Sequence, residues 1–172
     1  MTGAIDVRPA TADDLDAILD VHVRARTAYY LAGGLPPSEI DNPADAAQRR
    51  AGWRAAIGST EKVVRCAVVD GAVVGVVGMG PPLDPAEDAT RVGQLYQIHV
   101  HPDHWGSGVG GALHGAFVAY LRESCRTTGL LEAWARNQRG RAFYARHGWR
   151  PDGSSVPGPG GADYLRLRLD LG

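Results

Sequence analysis

The chain has two cysteines in 172 residues, Cys66 and Cys125, far apart and in no C-x-x-C arrangement. That spacing excludes a disulfide framework and a thiolate metal site, and both read as small buried hydrophobes in a reducing compartment. Charge of one sign is also missing: 18 Lys+Arg against 19 Asp+Glu leave a formal net charge of −1. No basic field is available to hold a nucleic acid. No apolar run approaches the roughly 18 residues that a membrane span requires, and residues 1–9 lack the basic-then-apolar pattern of a secretory signal. A cytoplasmic chain with neither a membrane nor a nucleic-acid partner is expected. Internal repeats are absent.

What is present fits one folded unit. A chain of this length buries a core without staples, and its hydrophobic (44%) and charged (22%) fractions are ordinary for a globular domain. A single domain over residues 1–172 is therefore expected. Residues 5–9 read as a first strand, and Thr11 with Asp14 as an acidic capping box opening a helix that carries Leu15, Ile18 and Leu19 to about Tyr30. Residues 33–38 form a loop. Asn42-Pro43 supplies a cap and a first-turn proline for a second helix with Ala46, Trp53 and Ile57, ended by Gly58. Two β-branched runs, residues 63–69 and 72–79, are joined by Asp70-Gly71, a strong hairpin signal. A strand over 94–100 follows a polar, proline-rich segment. The next helix has Leu113, Ala116, Phe117, Tyr120, Leu121 and Ser124 on its apolar face and His114, Arg122 and Glu123 on the other. Residues 130–135 read as a strand parallel to 94–100, because strand, helix and strand joined so tightly form a right-handed crossover. Asn137 caps a last helix that stops at Gly148. Residues 154–161 read as a Gly/Pro/Ser loop and 162–171, alternating apolar and charged, as a half-buried strand.

The chemistry concentrates in His101-Pro-Asp-His-Trp-Gly-Ser-Gly-Val-Gly-Gly111, between a strand and a helix. Residues without a Cβ let backbone amides turn toward one point, and the helix start adds its positive dipole end, so a diphosphate can sit there without lysine. Gly106, Gly108 and Gly111 also spell G-x-G-x-x-G. A dinucleotide fingerprint, however, follows its strand directly and opens a βαβ unit, whereas here Asp103, His104 and Trp105 intervene after Pro102.

Read as Val100-x-Pro102 followed by Gly106-x-Gly108-x-Gly110, the segment resembles the acetyl-CoA loop of the GNAT superfamily of N-acetyltransferases. Trp105 departs from the Arg or Gln usual before the first glycine. A second block, Asn137 through Ala142-Phe143-Tyr144 to Gly148-Trp149, and the opening Val7-Arg8-Pro9-Ala10-Thr11 are similar to that family too. The resemblance implies an α/β (α+β) GNAT fold in the order β-α-α-β-β-β-α-β-α-β-β. Such a fold is a mixed central sheet of about seven strands flanked by about four helices, with splayed parallel strands at the cofactor site.

The resemblance implies acetyl-CoA as co-substrate and transfer to a primary amine without a metal. Ile98, His99 and Val100 would offer the pantetheine arm a strand edge. Trp105, Gly106, Ser107, Gly108, Val109, Gly110 and Gly111 would take the diphosphate, and Asn137 would contact the arm as well as cap its helix. Tyr144 would be the general acid for the leaving thiolate, since a phenol of pKa about 10 is protonated at neutral pH. Gln94 stands where many members have a base glutamate; an amide takes no proton but can position a water, with His99, His22 or Glu132 as sinks. Tyr96 is expected to line the acceptor pocket.

His99-x-His101-x-x-His104 carries no carboxylate or thiolate at ligand spacing, so these read as surface or loop histidines and no metal is expected. Arg139, Arg141 and Arg146 fit either the nucleotide 3′-phosphate or a solvated face. The acceptor is expected to be a small-molecule amine, with specificity from residues 33–42, 81–90 and 152–162. A peptide amine acceptor, a homodimer and a non-catalytic acyl-CoA-binding module remain alternatives.

Overall fold

A computed structural model describes residues 3–172. Seven strands form one sheet in the order β1-β2-β3-β4-β5-β7-β6. They are β1 (Asp6–Pro9), β2 (Val63–Val69), β3 (Ala72–Gly80), β4 (Val92–Val100), β5 (Thr128–Trp134), β6 (Arg150–Val156) and β7 (Tyr164–Asp170). Four helices cover it, α1 (Leu15–Ala32), α2 (Pro43–Ile57), α3 (Val109–Glu123) and α4 (Gln138–Arg146). Only β4 and β5 run parallel, and every other pairing is antiparallel. The mixed α/β architecture expected from the sequence is the one observed.

Local chemistry explains where the elements start and stop. The Asp14 carboxylate accepts from the Thr11 amide at 2.8 Å and takes both Arg8 Nη atoms at 2.8 Å. Arg8 holds that carboxyl well below the usual carboxylate range. Asn42 accepts from the Ala44 amide at 3.0 Å, with Pro43 in the first turn of α2. Asp70 and Gly71 both take positive φ, +50° and +81°, as a tight hairpin between β2 and β3 demands.

Two apolar layers sandwich the sheet. Leu113, Phe117 and Leu121 of α3 meet Val77, Met79, Leu95 and Leu131 on one face, while Leu15, Ile18 and Val21 of α1 meet Trp53, Cys66 and Val76 on the other. Both faces of β3 are therefore buried, and its valine-rich run needs no polar alternation.

Three expectations are corrected. Residues 150–156, partly read as loop, form β6: every residue is exposed, and it pairs with β7 across an irregularity between Pro151 and Ser155. Such an edge strand is held by main-chain bonds and leaves no apolar pattern to read. Cys66 is fully buried, but Cys125 is exposed at the turn after α3 with φ +55°. His114 lies inside, not on the polar face of α3, because its Nε2 accepts the Trp149 indole N–H at 2.9 Å.

Candidate active site

The sheet opens where β4 leaves β5. Their pairing covers only Val92 to Gln94 against Thr128 to Leu130, after which the strands diverge. A register shift against Gly78 and Met79 places one extra residue in this part of β4. Leu95 and Ile98, three apart, consequently pack in the same core layer, which unbroken alternation forbids. The gap widens into a cleft of about 1450 Å³, lined from α1, β4, β5, α4 and the glycine turn.

One end of the cleft is made by backbone. Past Val100 the chain takes a short helical turn, Pro102–His104, and then Gly106 and Gly108 adopt φ +76° and +90° before α3 begins at Val109. Nothing lies within 4 Å of a Cβ built on Gly106, so its dihedral alone demands glycine. Gly106, Gly108, Gly110 and Gly111 border the cleft, and Ser107 turns its hydroxyl to the His104 carbonyl. Val109 is buried in the core, which leaves it only an amide to offer.

Trp105 is held from two sides. Its indole N–H donates to the Val100 carbonyl at 2.9 Å, and the Arg139 guanidinium lies 4.5 Å over its ring. A cation from α4 is thereby seated beside the turn. Asn137 accepts from the Gly140 amide at 3.0 Å as the cap of α4 and also borders the cleft. Tyr144 lines the same wall, and burial pushes its phenol up, so it stays protonated at neutral pH.

The other end is made by side chains. Gln94 is buried, and its Oε1 accepts from the Leu83 amide at 2.8 Å; the Tyr96 hydroxyl donates to the Pro81 carbonyl. These two β4 residues fasten the segment that precedes their own strand. Its far side is fastened by Arg166 to Asp84 at 3.4 Å and by Arg168 to Glu87 at 3.1 Å. Gln94 thus takes no proton, and its amide hydrogens remain free beside the cleft.

His99 turns toward α1 instead of solvent and stacks on His22, centroids 4.0 Å apart. Trp53 of α2 donates to His22 Nδ1 at 2.8 Å, which leaves no proton on that nitrogen, and His99 Nε2 stands 2.9 Å from Gln97 Oε1, which calls for an N–H there. Burial lowers both, His99 to about 3, with the positive charges of Arg26 and Arg49 adding to the effect. His101 and His104 lie in the turn after β4, their rings edge-on at 6.0 Å, and do not gather with His99. Glu132 is the cleft's one acidic lining residue among the described residues, 3.9 Å from an Arg166 nitrogen.

The expected residues Ile98, His99, Val100, Trp105, Gly106, Gly108, Gly110, Gly111, Asn137 and Tyr144 line one cleft with Gln94 and Tyr96, whereas Ser107 and Val109 do not: the Ser107 hydroxyl turns to the His104 carbonyl and the Val109 side chain lies in the core. Sequence reasoning missed Arg26 and the Trp53 support of His22. The spacing of His22, Arg26 and Tyr30, each one turn after the last on α1, is the signal that could have found them.

The family model described as "Acetyltransferase (GNAT) family" matches residues 27–149. An uncharacterized N-acetyltransferase of Archaeoglobus fulgidus is 25% identical over 141 residues, covering 82% of this chain and 90% of that one. Among solved structures, PaiA N-acetyltransferase of Thermoplasma acidophilum, in complex with coenzyme A, superposes with a TM-score of 0.75 at 14% identity, over 95% of this chain and 98% of that one. The yncA protein of Salmonella typhimurium, solved with its cofactor acetyl-CoA, gives 0.72 at 17% identity over 99% and 95%. A GCN5-related N-acetyltransferase of Kribbella flavida gives 0.74 at 22% identity over 98% of each. Among the described residues, no helix is long and apolar enough to cross a membrane.

Proposed function

The chain belongs to the acetyltransferase (GNAT) family, and from that premise we propose that it moves an acetyl group from acetyl-CoA to the primary amine of a small molecule, within a ternary complex. One observation carries this reading: two parallel strands part after three paired positions, and the cleft between them ends on an amide-lined turn at a helix start. A pantetheine arm is an amide chain that can pair with the free edge of β4 at Ile98 and Val100. Its diphosphate then reaches the amides of residues 105–111, with Arg139 supplying the positive charge the turn itself lacks.

Chemistry follows from the remaining groups. The acceptor enters as an ammonium and loses one proton to solvent through water held by the Gln94 amide. Its nitrogen attacks the thioester carbonyl carbon; the C–N bond forms and the C–S bond breaks. Tyr144 gives its phenolic proton to the departing sulfur, and the second proton shed by the nitrogen restores the phenol. Net, one amide, one free thiol and one proton result. Neither cysteine borders the cleft, which favours direct transfer over an acyl-enzyme.

The test is thiol release with acetyl-CoA across amino acids, polyamines, aminoglycosides and peptides, beside the melting temperature with CoA. Turnover of a small amine, with melting raised by CoA, is the expected outcome. A raised melting temperature with no turnover of any amine would instead favour an acyl-CoA-binding module, the reading that the engaged carbonyl of Gln94 favours. Turnover restricted to peptides would replace the small-molecule acceptor.

A further inference from the structure

Two groups of arginines stand out, one paired and one at the cleft. Arg8, Arg24, Arg50, Arg166 and Arg168 each meet a carboxylate. Arg26, Arg136, Arg139 and Arg146 border the cleft, and none of them forms an ion pair among the described residues. The cleft's one acid, Glu132, already faces Arg166. Four arginines without a carboxylate partner therefore border one cavity that has a single acid among its described lining residues. Arg139, over Trp105, belongs to the glycine-turn end. Arg26 does not.

Arg26 projects from α1 one turn after His22 and one turn before Tyr30. Its Nη1 donates to the Ile40 carbonyl and its guanidinium carbon sits 4.8 Å over the Tyr30 ring. Those two contacts fix the guanidinium plane yet use one of its five N–H groups. Burial disfavours charge on the two histidines nearby, which bond to Trp53 and Gln97, and no carboxylate pairs with Arg26 among the described residues. A half-buried, oriented, uncompensated guanidinium recognises a carboxylate through paired charge-assisted hydrogen bonds and repels a purely cationic amine.

We propose that the acceptor is a small amine that also bears a carboxylate, an amino acid or a near analogue, with its anion held by Arg26 and its nitrogen turned toward Gln94 and the open strand edge. This rests on acetyl-CoA being the donor. The positive surroundings also make a bound ammonium more acidic, which eases the first deprotonation. An oligoamine would gain nothing from that end of the cleft.

The experiment compares amino acids with the same amines lacking the carboxylate, in the wild-type enzyme and in Arg26→Gln and Arg26→Lys. The wild type is expected to favour the carboxylated acceptors by about ten-fold or more in kcat/KM. Arg26→Gln should raise the KM for carboxylated acceptors by about ten-fold or more, leave the acetyl-CoA KM alone, and so erase the preference over carboxylate-free amines. Arg26→Lys should keep part of the preference. Equal use of carboxylate-free amines by the wild type, or an equal loss on both acceptor types in Arg26→Gln, would overturn the proposal. The wild-type comparison decides even if a variant folds poorly. If CoA fails to raise the melting temperature, the donor reading falls and takes this one with it. If CoA raises it but only carboxylate-free amines react, this one falls alone.

Discussion

The two ends of the cleft are built from different materials. At the glycine turn the groups on offer are backbone amides, placed by two positive-φ glycines and a helix start within one stretch of sequence. At the α1 end they are side chains from α1, α2 and β4, brought together only by packing: His22, Trp53, Gln94, Gln97 and His99. The first design depends on backbone dihedrals: Gly106 and Gly108 need a residue free to take positive φ, and the amides beside them need no particular side chain. The second changes with every substitution. A common donor and a variable acceptor suit that division of labour.

The largest way to separate the ends is at the point where they meet. Tyr144→Phe should lower turnover about 100-fold or more, the range for loss of a general acid, while CoA still raises the melting temperature as in the wild type. Equal loss of both would make Tyr144 a packing residue. Gly108→Val attacks the backbone end directly. A β-branched residue at φ +90° costs on the order of 1–3 kcal/mol of strain, and the CoA-induced melting shift should shrink or vanish. An unchanged shift would show that the turn does not hold the donor.

Acid probes the side-chain end. Burial depresses the folded-state values of His22, His99 (to about 3) and His114 (to about 4). Unfolded histidines titrate near pH 6.5, so on acidification the unfolded chain gains protons first. Stability is therefore full above about pH 6.5 and falls as pH drops from there toward the folded values. His99→Gln should flatten that fall in a urea titration. A pH-independent midpoint between pH 7 and 5 would contradict the buried neutral pair. The smallest effect is expected from Arg139→Gln, which removes the cation over Trp105. CoA affinity should drop by a few-fold, the equivalent of about 0.5–1 kcal/mol. Comparing CoA with 3′-dephospho-CoA tells whether Arg139 meets the diphosphate, where both weaken alike, or the 3′-phosphate, where only CoA does.

The same contrast explains what could be read in the sequence. The hairpin at Asp70-Gly71, the caps at Asn42 and Asn137 and the glycine turn are local instructions, and each sits where the sequence put it. His114 was misplaced because its partner Trp149 lies 35 positions further on, and a helical wheel cannot see that indole. His99 reads as a surface residue in the sequence because its stacking partner belongs to a helix more than seventy positions earlier. β6 leaves no apolar pattern to read, since all seven of its residues are exposed. Arg26 offers only its one-turn spacing from His22 and Tyr30, and the sequence cannot show that no carboxylate folds against it.

The short seam between β4 and β5 has a mechanical consequence. Four strands lie on one side of it and three on the other, and only the positions from Val92 to Gln94 stitch them together in the sheet. A molecule that threads the gap and bonds to the β4 edge acts as a missing length of strand and finishes the ladder. Amides of the C-terminal half of β4 should then exchange with deuterium more slowly, and the wall that receives the second substrate should stiffen. The expected outcome is an ordered reaction, in which the partner that completes the strand binds first, and product-inhibition kinetics check it.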